Sequence, residues 1–451
     1  MKSTCRRQSE PLTITHPMKM KPLVLLCLVA FGSRISAAEP ALTLKDNDTW
    51  VMAGDSMTDT RLHTNNIEAF YRTRYPQLHL HFRNSGVGGN RTGSMLDRFD
   101  YDIAAWKPTI VSIELGLNDV GSANPDDKNC ADGYIAGMTK LVGNIRAINA
   151  RPILISASPV NDGSLMNAWV GDRCHRVHPF TVALIEFGKK ENVLTIDQYH
   201  PLLALWGPNK TLDNANALAA HIRLLKPEHN VPDLASLQTF AKSWEGKPAA
   251  IQFTGDDVHL GPAGQYTMAA TILAALNVDR EVSSATIKAD GTIVDAKSCK
   301  ITEAASKNGV LSFTRLDARS PWPLGGAGDA LTLMPEIADL SRYMLTVSGL
   351  AAGQYTVTMD GTLVATLSDK ELAKGWNMST VADGPLGERS RRILPLITEL
   401  QTPLNNAWRA ASKDKDAAKL AEAQKAIDAC EAKVQDAVQP TAIHFVIAPA
   451  K

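Results

Sequence analysis

Between residues 48 and 280, short apolar runs alternate with stretches of helical period. Trp50–Ala53, Leu78–Arg83, Thr109–Leu115, Pro152–Ser156 and Val193–Ile196 are bounded by turn-forming residues, the pattern of buried strands. Around them, apolar side chains recur at helical spacing over about 66–74, 94–106, 132–149, 176–191 and 262–276. The last of these helices opens with Pro262, a residue favoured in a first turn. Strands alternating with helices predict a parallel sheet with right-handed crossovers. Five such strands make this region an α/β unit, a flavodoxin-like three-layer sandwich around a parallel five-stranded sheet.

Residues 202–250 exceed what a simple connection needs. Leu212, Leu218, His221, Ile222 and Leu225 have helix-like spacing, so an inserted helix is expected. It reads either as a packed surface helix or as a wall over a site. After Leu276-Asn277 the texture changes. Ala285–Lys288 and Gly291–Val294 read as strands around an Asp-Gly turn, and Tyr355–Met359 with Leu363–Leu367 repeats the design at Asp360-Gly361. Helical sequence then runs from about 386 to 437, with Leu420, Ala423, Ile427, Cys430 and Val434 on one face, and Pro395 and Pro403 expected to break or start helices. Ile443–Ile447 closes as a strand that pairs back into the sheet. The chain therefore divides into an α/β unit over 39–280 and a small α+β unit over 281–451, a β-sandwich-like body with a helical hairpin. Carbohydrate binding and a packing or spacer role are both open for the second unit.

With 44% hydrophobic and 21% charged residues, the composition is that of a globular protein. Lys+Arg equals Asp+Glu and no basic run stands out, so nothing points to nucleic acid. Lys19 and Lys21 precede the apolar stretch Pro22–Phe31 and the small residues Ser36-Ala37-Ala38, as in a secretory signal over residues 1–38. That stretch is too short for a transmembrane anchor, and the residues before Met18 or Met20 look like an over-extended start. Export places the protein outside the cell or in the periplasm. Four cysteines then remain: Cys130, Cys174, Cys299 and Cys430. Cys130 and Cys174 follow neighbouring predicted strands and are expected to pair, leaving Cys299 with Cys430 unless Cys430 is a free thiol on its helix face. His175 and His178 are half of a metal site at most, and no partner stands out.

Gly54-Asp55-Ser56 directly follows the first predicted strand and presents a serine hydroxyl at the C-terminal edge of the sheet, where open α/β sheets bind ligands. Asn84-Ser85-Gly86-Val87-Gly88-Gly89-Asn90-Arg91-Thr92 supplies a glycine turn able to aim backbone N–H groups at a ligand. Gly116-Leu117-Asn118-Asp119 sets an amide at the end of the third strand, a donor suited to an oxyanion. In Asp256-Asp257-Val258-His259, a carboxylate three residues before a histidine can hold Nδ1–H and leave Nε2 as a base. Singly each segment reads as a turn; their order in one α/β region makes them a set. The α/β-hydrolase elbow needs Gly-x-Ser-x-Gly, and no serine in this chain is so flanked.

These four blocks, over about residues 48–280, resemble the SGNH hydrolases, also called the GDSL esterase/lipase family. The resemblance implies Ser56 as nucleophile, His259 as base and Asp256 as its orienting acid. It implies an oxyanion hole of the Ser56 N–H, the Gly89 N–H and the Asn118 side chain, with Gly86 or Gly88 as alternatives to Gly89. Met57 stands where the family usually has leucine. The implied activity is hydrolysis of carboxylic esters through an acyl-enzyme, without metal or organic cofactor. Short acyl esters are expected, O-acetyl groups on a glycan above all. The alternatives are a lipase or lysophospholipase for longer chains, and a non-catalytic binding module on the same fold.

Overall fold

A computed structural model describes residues 42–161, 163, 165, 172–245, 253–256, 258–324 and 326–450, without the side chains of 172–174. The expected secretory signal lies outside the described residues. Ala41–Lys451 gathers into one compact unit.

Strands β1 (Thr49–Gly54), β2 (His81–Gly86), β3 (Ile110–Glu114), β4 (Arg151–Ile155) and β5 (Leu194–Ile196) form a five-stranded sheet in the order β2-β1-β3-β4-β5. Every neighbouring pair is parallel. Both faces are covered, so Val51, Val111, Ile113, Ile153 and Leu154 are buried completely. Helices α1 (Ser56–Asp59), α2 (Leu62–Arg74), α3 (Thr92–Asp102), α4 (Asp132–Ala147) and α5 (Asp172–Glu191) follow the first four strands. The insertion holds three helices where one was expected: α6 (Tyr199–Trp206), α7 (Lys210–Arg223) and α8 (Leu234–Ser243). Helix α9 (Pro262–Ala275) is apolar on all sides and buried along nearly its whole length.

The observed β2 begins three residues later than Leu78–Arg83 and runs through Asn84, Ser85 and Gly86. Hydropathy hides this because those polar side chains are satisfied inside. Asn84 Nδ2 donates to Thr58 O (2.7 Å) and Thr64 Oγ1 (2.9 Å), and Ser85 Oγ donates to Asp102 O (2.6 Å).

The C-terminal region adds β6 (Glu281–Lys288), β7 (Ile293–Lys297), β8 (Cys299–Lys307), β9 (Val310–Asp317), β10 (Arg342–Ser348), β11 (Gln354–Met359), β12 (Thr362–Ser368), β13 (Trp376–Asn377) and β14 (Ile443–Pro449). They form two sheets, β13-β10-β6-β7 and β12-β11-β14-β9-β8. Val282, Ile287, Leu311, Phe313, Leu345, Val357 and Phe445 make a shared core, with Phe313 stacked on Phe445. Both Asp-Gly hairpins form, and β14 pairs back between β9 and β11. Strands β8, β9, β10 and β13 had not been anticipated.

The region also contains α10 (Gly328–Leu333), α11 (Asp369–Lys374), α12 (Gly384–Glu399), α13 (Asn405–Lys413) and α14 (Ala417–Ala437). Pro395 is accommodated within α12, contrary to expectation, whereas Pro403 lies in the π turn Leu400–Leu404 that joins α12 to α13. Leu400, Trp408, Ile427 and Cys430 enter the core of the first sheet, and Trp408 stacks on Trp106. The expected Cys299–Cys430 bridge is absent. Cys299 is a half-buried thiol on β8 in the β-rich body, and Cys430 is a buried thiol on α14 against the first sheet. Cys130 is likewise a free thiol, and its expected partner Cys174 has a side chain outside those described.

Candidate active site

Gly54 ends β1 because nothing larger fits: a Cβ there would lie 2.0 Å from Thr58 Oγ1 and 2.9 Å from Glu114 O. The chain then turns sharply into α1. Asp55 caps it by accepting the Met57 N–H at 2.9 Å, which leaves Ser56 at the first helical position and half-buried. Gly86, at the end of β2, is packed as tightly, since its Cβ would lie 2.3 Å from Asp59 N. The Gly86 N–H is already given to Asn84 Oδ1 at 2.9 Å, which leaves Gly88 and Gly89 as the candidate backbone donors of the glycine block. A turn from Val87 to Asn90, closed by Asn90 N–H to Val87 O, places Gly89 at φ +74°, where glycine carries no strain.

Asn118 follows β3, and its Nδ2 bonds Asn90 O at 3.1 Å and Asp55 Oδ2 at 3.3 Å. The amide is thus fixed between the glycine block and the residue that precedes Ser56, and it can serve an oxyanion by giving up the longer bond to Asp55. Burial, and then the charge of Glu114, push the Asp55 carboxyl up to about 8 against the Met57 N–H, which lowers it. Asp119 accepts the N–H and hydroxyl of Thr92 and so holds the start of α3 from a distant loop.

The Asp256-x-x-His259 pair forms as the spacing suggests. Asp256 Oδ2 lies 2.9 Å from His259 Nδ1, and Asp256 Oδ1 accepts the N–H groups of Val258 and His259. Burial nudges the Asp256 carboxyl upward, but the His259 and Val258 donors together hold it below the ordinary value. The pair is solvent-open, with side chains 54% and 30% exposed, so substrate can reach the imidazole directly. Among the described residues, Ser56 and His259 share no hydrogen bond; such contacts often tighten only when substrate binds. Their loops are tied through buried Gln265 on α9, whose Nε2 lies 3.1 Å from Met57 Sδ and 3.4 Å from Leu260 O. A cavity of about 210 Å³ brings Asn118 together with Val258, and Leu117, Val160 and Val177 give it apolar walls.

Residues 52–266 match the model of the GDSL-like lipase/acylhydrolase family. That segment belongs to the family. The protein is thereby a carboxylic ester hydrolase of SGNH type. No curated protein sequence matches the chain. Among solved structures, BT4096, described as a gut microbial diltiazem-metabolizing enzyme, superposes with a TM-score of 0.71 at 18% identity, covering 90% of this chain and 99% of that one. The shared fold therefore includes the C-terminal region. Axe2, an acetylxylan esterase from Geobacillus stearothermophilus, is 18% identical with a TM-score of 0.36, covering 52% of this chain and 96% of its own.

Several residues that shape this SGNH site were not foreseen. Asn405 Nδ2 donates to Asn84 O, while Arg409 donates to Asn84 O at 3.0 Å, Gly86 O at 3.2 Å and Asp102 Oδ1 at 2.6 Å. Gln401 accepts the Asn84 N–H at 3.0 Å and donates to Phe82 O at 2.8 Å, as a residue of a parallel neighbouring strand would. Farther along β2, Glu431 on α14 meets Arg83 at 2.7 Å, His81 at 2.8 Å and Arg72 at 3.5 Å. Burial raises the Glu431 carboxyl, yet these partners hold it down at about 2. The strand leading into the glycine block is thus held by residues more than three hundred positions away. A sequence signal did exist in Gln401, Asn405 and Arg409, polar residues spaced four apart in an otherwise amphipathic stretch.

Proposed function

We propose that this protein is an exported serine esterase that removes short acyl groups, acetyl foremost, from carbohydrate. Ser56 Oγ attacks the ester carbonyl carbon while His259 Nε2 takes the hydroxyl proton, and Asp256 holds the imidazole through Nδ1. The Ser56 and Gly89 N–H groups and the Asn118 amide receive the negative charge on the carbonyl oxygen. Collapse expels the alcohol, which takes the proton from His259. Water then repeats the sequence on the Ser56 ester and releases the acid. The catalytic groups are assigned to 39–280, with 281–451 as the accessory region that braces them, and export rests on the signal-like residues 19–38.

The observation that carries the reading is the Asp256–His259 contact of 2.9 Å, in a loop whose Val258 lines the same cavity as Asn118. The cavity of about 210 Å³ beside Asn118, walled by Leu117, Val160 and Val177 but also lined by Arg91 and Arg176, has room for a short acyl group. Exposed Leu212, Leu218 and Leu224 on and after α7 favour the second reading, an enzyme for longer acyl chains. A fluorophosphonate probe should label the wild-type protein and not Ser56→Ala. A chain-length series of nitrophenyl esters, run beside acetate release from acetylated glycans, decides the substrate. Greatest kcat/KM at eight carbons or more with no acetate from any glycan would replace the carbohydrate reading with the lipase.

A further inference from the structure

Asn118, the side chain assigned to the oxyanion, lines the cavity of about 210 Å³ that reaches the base loop at Val258. A substrate whose reacting carbonyl lies at Asn118 has this space directly beside it. The walls differ in kind. Leu117, Val120, Val160 and Val177 are apolar, whereas Arg91 and Arg176 are cationic, and no carboxylate lines the cavity among the described residues.

Both arginines are placed by the fold. Arg91 ends the glycine block, one residue after Asn90, whose carbonyl holds the Asn118 amide at 3.1 Å. The Arg91 N–H goes to Ser94 Oγ at 3.3 Å as α3 begins, and its guanidinium makes no ion pair or hydrogen bond among the described residues. Arg176 on α5 donates through Nη1 to Gly121 O at 2.8 Å. Gly121 is itself part of the wall, so this guanidinium stands at the cavity.

The acids closest to Asn118 do little to cancel this charge. Asp119 is turned to the N–H and hydroxyl of Thr92; burial raises its carboxyl against those bonds and against the charge of Arg91. Asp55, which accepts from Asn118, is largely uncharged below about pH 8. Apolar walls also keep away part of the water that would screen a cation, so a guanidinium acts more strongly here than on an open surface. A carboxylate is the matching group, because its two oxygens fit the guanidinium fork.

We propose that Arg91 and Arg176 make this cavity a subsite for a carboxylate carried by the ester substrate, on its acyl part or on its alcohol. The proposal rests on the serine-esterase reading above, with Asn118 at the reacting carbonyl. It is tested with the full-length protein on pairs of esters that differ in charge. Monomethyl against dimethyl succinate puts the carboxylate on the acyl part; an O-acetylated methyl galacturonoside against its carboxyl methyl ester puts it on the alcohol. Wild type should favour the acid about tenfold or more in kcat/KM in one arm, mainly through KM, and that arm names the source. The preference should shrink in Arg91→Gln and in Arg176→Gln, and in wild type at about 0.5 M sodium chloride. If wild type hydrolyses para-nitrophenyl acetate but favours the acid in neither arm, the subsite is refuted while the esterase reading stands. A preference that survives both substitutions, or is indifferent to salt, refutes it equally. If Ser56→Ala hydrolyses para-nitrophenyl acetate as wild type does, the site assignment falls and the subsite with it.

Discussion

Arg409→Met tests whether the C-terminal helices position the glycine block or only pack beside it. Arg409 is 18% exposed, and its fork joins the fully buried Asp102 carboxylate to the Asn84 and Gly86 carbonyls at the end of β2. Removing one partner of a buried ion pair costs about 3–5 kcal/mol when the other charge is left alone. Here Asp102 keeps Arg98 and Ser85, and Asn84 O keeps Asn405. The expected loss is therefore smaller, about 2–3 kcal/mol, the size of a charge-assisted hydrogen bond with part of its neighbours. The catalytic effect should exceed what stability alone implies. Gly86 lies three residues before Gly89, and a shift of about 1 Å in a positioned group costs about 10²-fold. We expect kcat for para-nitrophenyl acetate to fall about tenfold to a hundredfold with KM nearly constant, and Arg409→Lys to recover part of it. Urea unfolding and steady-state kinetics on the same preparations supply both numbers. A stability loss of this size with unchanged kcat would mean that Arg409 only packs. No loss in either would refute the clamp.

Asn118→Ala should lower kcat by about 10²–10³ with a smaller change in KM, the usual effect of losing one oxyanion donor; a change confined to KM would assign Asn118 to substrate positioning. Asp55→Asn should flatten the pH dependence of stability. The folded carboxyl lies at about 8 against an ordinary value of 3.8, so the unfolded chain releases its proton first as pH rises. Stability from this group is thus lost from about pH 4 up to about pH 8, and urea unfolding across that window should show a shallower fall in the variant.

The parallel sheet was legible because its strands are buried on both faces and read as near-continuous apolar runs, as Val111, Ile113, Ile153 and Leu154 illustrate. The end of β2 was not, because Asn84 and Ser85 are buried through hydrogen bonds that no hydropathy pattern records. Strand β8 escaped notice for the opposite reason: it lies at a sheet edge with Ile301 as its one buried residue. Strand β10 did carry a readable alternation in Tyr343, Leu345 and Val347. The blocks containing Ser56, Asn118 and Asp256–His259 were visible as short local motifs, each placed by its own strand or turn. The Arg409 clamp could not be seen in that way, since it depends on a tertiary contact between segments far apart in the chain.

Gln401 has a consequence for how this enzyme can be divided or recombined. Its side-chain amide occupies the position that a sixth strand would take beside Arg83, so the sheet is closed to further growth at β2. A fragment ending near residue 280 would lose that plug together with Asn405, Arg409 and Glu431. The matched segment 52–266 would then present an open hydrogen-bonding rail beside Arg83, stripped of its Glu431 partner, the kind of edge on which chains add to one another. Modular shuffling that treats this segment as portable should therefore yield insoluble material, whereas fusions that carry 384–437 along with it should remain dispersed.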